Sequence, residues 1–287
     1  MKLTPPTPLP EAHGFTLVEL AVVLIVVALL LGGTMSALNS QLEQQRIKET
    51  QRLLDEARES LIGFAAARGR LPCPDTDSDG AENIAPPTVT ENVPANGQST
   101  QVFLGCASPE GDFPFASTGS ARLDGWGHRL RYRVRPLFTQ STLVWSGPNA
   151  SGSVLSVTPG FSLSSNGNID VQTRGDNPTT APPSIEAKFA SNLALDVPAV
   201  IISHGKNGYG AKNAEGIALP APPITNVDEL TNADPASTTK ISRTLAQPAT
   251  PCSDTVEGVP SCEFDDLVVW VSPNILFNRM IAAGRLP

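Results

Sequence analysis

Three carboxylates alternate with small polar residues and end on a glycine in Asp75-Thr76-Asp77-Ser78-Asp79-Gly80. Oxygens at every second position, with a tight turn at the glycine, can converge on one hard cation, so Asp75, Asp77 and Asp79 are candidate calcium ligands. The twelfth position of such a loop is Pro86 rather than a bidentate glutamate. Glu82, Asn83 or a backbone carbonyl would have to complete the shell; the alternative is a solvated acidic turn. A second pattern is Arg129, Arg131, Arg133 and Arg135 alternating with Leu130, Tyr132 and Val134. Period two places four guanidinium groups on one face of a strand. That face could capture DNA or another anionic partner, or it could meet solvent and the acids of neighbouring subunits. The net charge of −8 favours the second reading, and no nucleic-acid partner is expected. A third feature is Glu19, at the lip of Leu20–Leu38, a run without any charged residue. A carboxylate there costs free energy unless something pairs with it, so it reads as functional.

The four cysteines Cys73, Cys106, Cys252 and Cys262 allow three connectivities, of which Cys73–Cys106 and Cys252–Cys262 closes the shortest loops. An even number suits an oxidising compartment. The chain contains no GxSxG, no HExxH and no phosphate-binding loop, and His128 and His204 have no nucleophile beside them in sequence. No enzyme is expected, and no cofactor beyond the candidate calcium.

These residues need elements to position them. Residues 1–14 carry four prolines, which forbid a helix. From Phe15 to about Arg68 only Gly32-Gly33 weakens a helical reading, and Gly69 and Pro72 end it. The result is one helix of ~50 residues, ~80 Å long. Its first half is apolar all round. Its second half carries Leu53, Ala57, Leu61 and Phe64 on one face. Strands are predicted at 128–135, 142–146, 153–158, 199–203 and 266–271, with loops at 173–184 and 219–260. A short helix over 275–283 follows Ser272 as N-cap and Pro273 at the first position. The expected class is α+β, with the amphipathic half of the helix packed on an antiparallel sheet.

The heptapeptide Gly14-Phe15-Thr16-Leu17-Val18-Glu19-Leu20, run directly into the apolar stretch, resembles the processing signature of type IV pilins and type II secretion pseudopilins. Asp124-Gly125-Trp126-Gly127 followed by Tyr132 resembles the Asp-Pro-Trp-Gly…Tyr stretch of pseudopilins, with Gly125 in place of proline. There the family pattern implies a turn, an aromatic anchor and the start of the sheet. The resemblance implies cleavage after Gly14, methylation of the new amino terminus at Phe15, and Glu19 as charge partner for the Phe15 amine of a neighbouring subunit. It divides the chain into a leader (1–14), a transmembrane and filament-core helix half (15–39), an amphipathic half (40–70) and a β-rich domain (71–287). Implied partners are other pilins or pseudopilins, a prepilin peptidase, an inner-membrane assembly platform, and membrane lipid before assembly. The implied location is the inner membrane, single-pass with a periplasmic domain, then the pilus or pseudopilus and the cell surface. Length and long loops favour a minor subunit; an adhesin or a DNA- or ligand-binding module on a pilin stem is the other reading. A secreted protein with an ordinary signal segment fits less well, because Glu19 would touch its apolar core.

Overall fold

The first helix, α1 (Leu17–Arg68), is 52 residues long and runs through Gly32-Gly33. This is a computed structural model, which describes residues 16–85, 99–103, 105–145, 154–175, 189–256 and 259–286. The leader, Gly14, Phe15 and Pro86 lie outside the described residues. The chain divides into two compact units, Met1–Arg46 and Ile47–Pro287, with the boundary inside α1.

In the first unit, α1 begins with a reciprocal capping box. The Thr16 backbone N–H and hydroxyl both donate to Glu19 Oε2 at 2.9 Å, and Glu19 N donates to Thr16 Oγ1 at 3.3 Å. The expected membrane-spanning half is not met. Among the described residues no helix is long and apolar enough to cross a membrane. The single-pass inner-membrane location and the pilin-like arrangement with a transmembrane half are therefore corrected.

In the second unit α1 buries Thr50, Leu54, Ala57, Leu61, Ile62 and Ala65, while Leu53 and Phe64 stay half-buried. The face is rotated from the predicted one toward Leu54 and Ala65, which fit the 3–4 spacing as well as Leu53 and Phe64 do. Gly69, at φ 75°, turns the chain out of the helix, and its N–H returns to Ala65 O. Arg285 donates to the Ala66 and Ala67 carbonyls at 3.0 and 2.8 Å, satisfying helix-end acceptors with a cation where the dipole favours one.

A single antiparallel sheet was expected; the described residues form three sheets. The central one has the order β10 (Leu267–Val271), β8 (Ala199–Ser203), β3 (Arg131–Val134), β2 (Glu110–Asp112), antiparallel throughout. A second comprises β1 (Ser99–Phe103), β4 (Ser141–Trp145) and β5 (Val154–Pro159). A third has β6 (Ile169–Gly175) between β7 (Phe189–Val197) and β9 (Thr239–Ile241), the β6–β9 pair being parallel. The short helices are α2 (Phe115–Thr118), α3 (Val227–Ala233) and α4 (Pro273–Ala282).

Strand alternation divides the core in two. Leu130, Tyr132, Val134, Ala199, Ile201 and Val271 point toward α1 and α4, joined by Phe113, Phe138 and Phe161. Val200, Ile202 and Val268 point the other way, onto Ile169, Val171 and Val197. A sheet covered on both faces has no solvated side. This explains why β8 is buried at every position.

Candidate functional site

The central strand decides what the four arginines do. With Tyr132 committed to the α1 face, where its hydroxyl donates to Pro72 O at 3.1 Å, Arg131 and Arg133 take the opposite face. The expected solvent-facing stripe is not found. Arg129 and Arg133 are buried. Arg133 Nη1 donates to Glu110 Oε2 at 2.8 Å and to Pro235 O at 2.6 Å, and Arg131 pairs with Glu110 Oε1. Arg129 Nη1 lies 3.4 Å from Asp112 and 3.8 Å from Asp75. Arg135 donates to the carbonyls of Asn166 and Gly167. The sequence pattern read the period correctly. It could not show that segments 166–167, 210–214 and 235 return to cover the face.

Lys240 completes this network from β9. It is fully buried, 3.3 Å from Glu110 Oε2, and donates to the carbonyls of Asn232 and Asp234 at 3.2 and 2.9 Å. Burial pulls its pKa down to about 8, with Glu110 opposing the shift.

The Asp75 loop is organised by its own carboxylates. Asp75 Oδ1 accepts from Asp77 N at 3.2 Å and Ser78 N at 2.7 Å, and Oδ2 accepts from Gly80 N at 2.8 Å. Asp77 accepts from Asp79 N and Asn83 Nδ2, and Asp79 from Ala81 N. Oxygens of the three lie within 4.8 Å of one another, so the set could converge on a cation. Glu82 does not join it: both its oxygens pair with Arg70, at 2.7 and 2.8 Å, and one also takes Cys73 N. Burial raises the pKa of Asp75, opposed by the Gly80 and Ser78 N–H groups. The disulfides are Cys73–Cys106 and Cys252–Cys262. Asp254 binds the second one to α3. It accepts from Cys262 N and Asp228 N and pairs at 3.0 Å with Arg243, which also holds Asp228 at 2.7 Å.

Asp124 is the turn residue of the Asp-Gly-Trp-Gly stretch. Its Oδ1 accepts from Trp126 N and His128 N, and its Oδ2 accepts from Ser203 Oγ at 2.6 Å. Gly125 N donates to Thr50 on α1 at 3.0 Å. The expected aromatic anchor is Tyr132, not the half-buried Trp126.

Sequence reasoning missed a second acidic cluster. Glu229 on α3 and Asp265 and Asp266 ahead of β10 have oxygens within 4.8 Å of one another. Glu229 accepts from Asn207 Nδ2 at 3.0 Å and Asn226 Nδ2 at 2.8 Å, while Asp266 meets His204 Nδ1 at 3.2 Å and Asn232 Nδ2 at 2.8 Å. Asp265 Oδ2 accepts from Asn207 N at 2.7 Å, and its Oδ1 is buried without a hydrogen bond. Burial pushes Glu229 up to about 8 and Asp265 up to about 7, and nearby carboxylates add to both. Neutral amide partners and raised pKa values favour protons on Glu229 and Asp265 near neutral pH. Glu229, in the predicted loop at 219–260, is 36 residues from Asp265, which lies just ahead of the predicted strand, so no local pattern announced the cluster.

Compared with known proteins, the chain matches no family model, no curated protein and no solved structure.

Proposed function

We propose that this chain is a minor structural subunit of a helix-packed filament, of the type IV pilus or type II secretion pseudopilus kind. It joins its neighbours through the N-terminal part of α1. The observation that carries this reading is the capped helix start with its apolar side chains in the open: Leu17 is 85 % exposed, Leu24 60 % and Ile25 60 %. A row of large apolar groups on a helix gains free energy by packing on other helices, at roughly 25 cal/mol per Å² removed from water. Among apolar neighbours the Glu19 carboxylate needs a cation, and the amino terminus of a neighbouring Phe15, freed by cleavage after Gly14, would supply one. The reading uses no lipid contact.

The test is expression beside a prepilin peptidase and a filament assembly machinery, with intact mass of the recovered subunit. Cleavage after Gly14, one added methyl group and recovery in sheared filaments are expected. An unprocessed chain absent from filaments overturns the proposal.

A further inference from the structure

Between β2, β3 and the 210–212 segment lies a cavity of about 200 Å³, lined among others by Thr76, Glu110, Asp112, Arg129, Arg131 and Lys212. Its charges do not balance. Two carboxylates of its lining, Glu110 and Asp112, face three cations, Arg129, Arg131 and Lys212; Asp112 pairs with Arg129 and Lys212, and Glu110 separately with Arg131 and, behind the lining, with Arg133 and Lys240. A local excess of cations inside a chain of net charge −8 has no general electrostatic cause.

The hydrogen-bond accounting points the same way. Glu110 is taken on both oxygens, by Arg131 on one and by Arg133 and Lys240 on the other. Asp112 Oδ2 takes Ser78 Oγ at 3.0 Å, Arg129 at 3.4 Å and Lys212 at 3.2 Å. Arg131 donates through Nε and Nη1, to Glu110 and to Gly210 O, and its Nη2 has no partner among the described residues. Lys212 donates to Ser78 and Asp112, which leaves one ammonium N–H. The exposed Thr76 hydroxyl meets no protein partner among the described residues, and Arg129 Nε is buried without one. Among the carboxylate oxygens of the lining, Asp112 Oδ1 alone takes no hydrogen bond from the described residues.

We propose that this cavity binds a small oxyanion, a phosphate or a carboxylate, held by Arg131 Nη2, Lys212 Nζ and the Thr76 hydroxyl. Planar guanidinium donors beside a point-charge ammonium suit tetrahedral or planar oxyanions. The volume lies below the ~300 Å³ at which drug-sized sites begin, which restricts the ligand to a few heavy atoms. Lys212 is the group to test. It is 31 % exposed, and its removal leaves Asp112 paired with Arg129.

The experiment is a titration of the full chain with inorganic phosphate, followed by backbone amide shifts, against sodium chloride at matched ionic strength. Saturable one-site binding with a dissociation constant of about 1 mM or tighter is expected, with shifts centred on Thr76 and residues 210–212. Lys212→Met should weaken binding at least about tenfold, and Thr76→Val about threefold without disturbing the fold. Arg279→Met, an exposed cation on α4, should change nothing. Shifts that chloride reproduces, absence of saturation, or parental affinity in both Lys212→Met and Thr76→Val would overturn the proposal.

Discussion

Asp75 and Glu229 are both buried carboxylates, and their surroundings give them opposite parts. Asp75 collects three backbone N–H groups and lies near Arg129, so its oxygens hold a loop in shape. Asp75→Ala should destabilise the fold by about 2–4 kcal/mol in denaturant unfolding, since it orphans those donors and removes a carboxylate from a buried guanidinium. Glu229 is held by amides beside two further acids, and its folded pKa of about 8 lies above the ordinary 4.5. A carboxyl group raised on folding contributes stability that is complete below its unfolded pKa and is lost as pH rises through the folded one. Unfolding free energy should therefore fall by on the order of 2–4 kcal/mol between pH 5 and pH 8, Asp265 contributing to the same window. In Glu229→Gln most of that slope should vanish; an unchanged slope would show that the cluster is not its source. The Asp75 loop was legible because its residues are consecutive. The Glu229 cluster was not, because α3 and the approach to β10 meet only in three dimensions.

The elements show where periodicity suffices and where it fails. β8 has the span its unbroken apolar run predicts, and β3, β4, β5 and β10 lie at the predicted places. β6, β7, β9 and α3 fall in or beside Thr- and Asn-rich stretches, where propensity is weak and pairing with a distant strand settles the conformation. The arginine alternation marks β3 correctly, yet the face it creates is internal because β6, β7 and β9 build a second layer. Both disulfides close loops that return to the core, with Cys73 and Cys262 themselves buried. Their closed loops differ, with sequence separations of 33 and 10. Loop-closure entropy then predicts that Cys73→Ala/Cys106→Ala costs about 1 kcal/mol more than Cys252→Ala/Cys262→Ala, each lying in the ~2–4 kcal/mol range. Denaturant midpoints of the two double variants read this directly; a reversed order would place the larger strain or packing contribution at the second bridge.

At the scale of the molecule, the sequence separates an apolar helix start from a β-rich remainder, and the structure has units Met1–Arg46 and Ile47–Pro287. Both core clusters and both disulfides belong to the second. The first offers exposed apolar side chains and one carboxylate at the helix start. Composition suggested a bilayer span, but among the described residues no helix is long and apolar enough for one. What the helix start offers is a row of exposed apolar side chains, and the proposed packing on other helices depends on the charge of Glu19. Glu19→Gln tests it most directly. Glutamine keeps the capping hydrogen bonds with Thr16, so the helix still begins where it does, while the charge is gone. The quantity to measure is the fraction of processed subunit in sheared filaments. Normal cleavage after Gly14 with incorporation reduced at least about tenfold is predicted, because a neighbour's Phe15 amine loses its partner. Incorporation equal to the parent would show that Glu19 only caps its own helix, and would contradict the charge-paired assembly proposed for this chain.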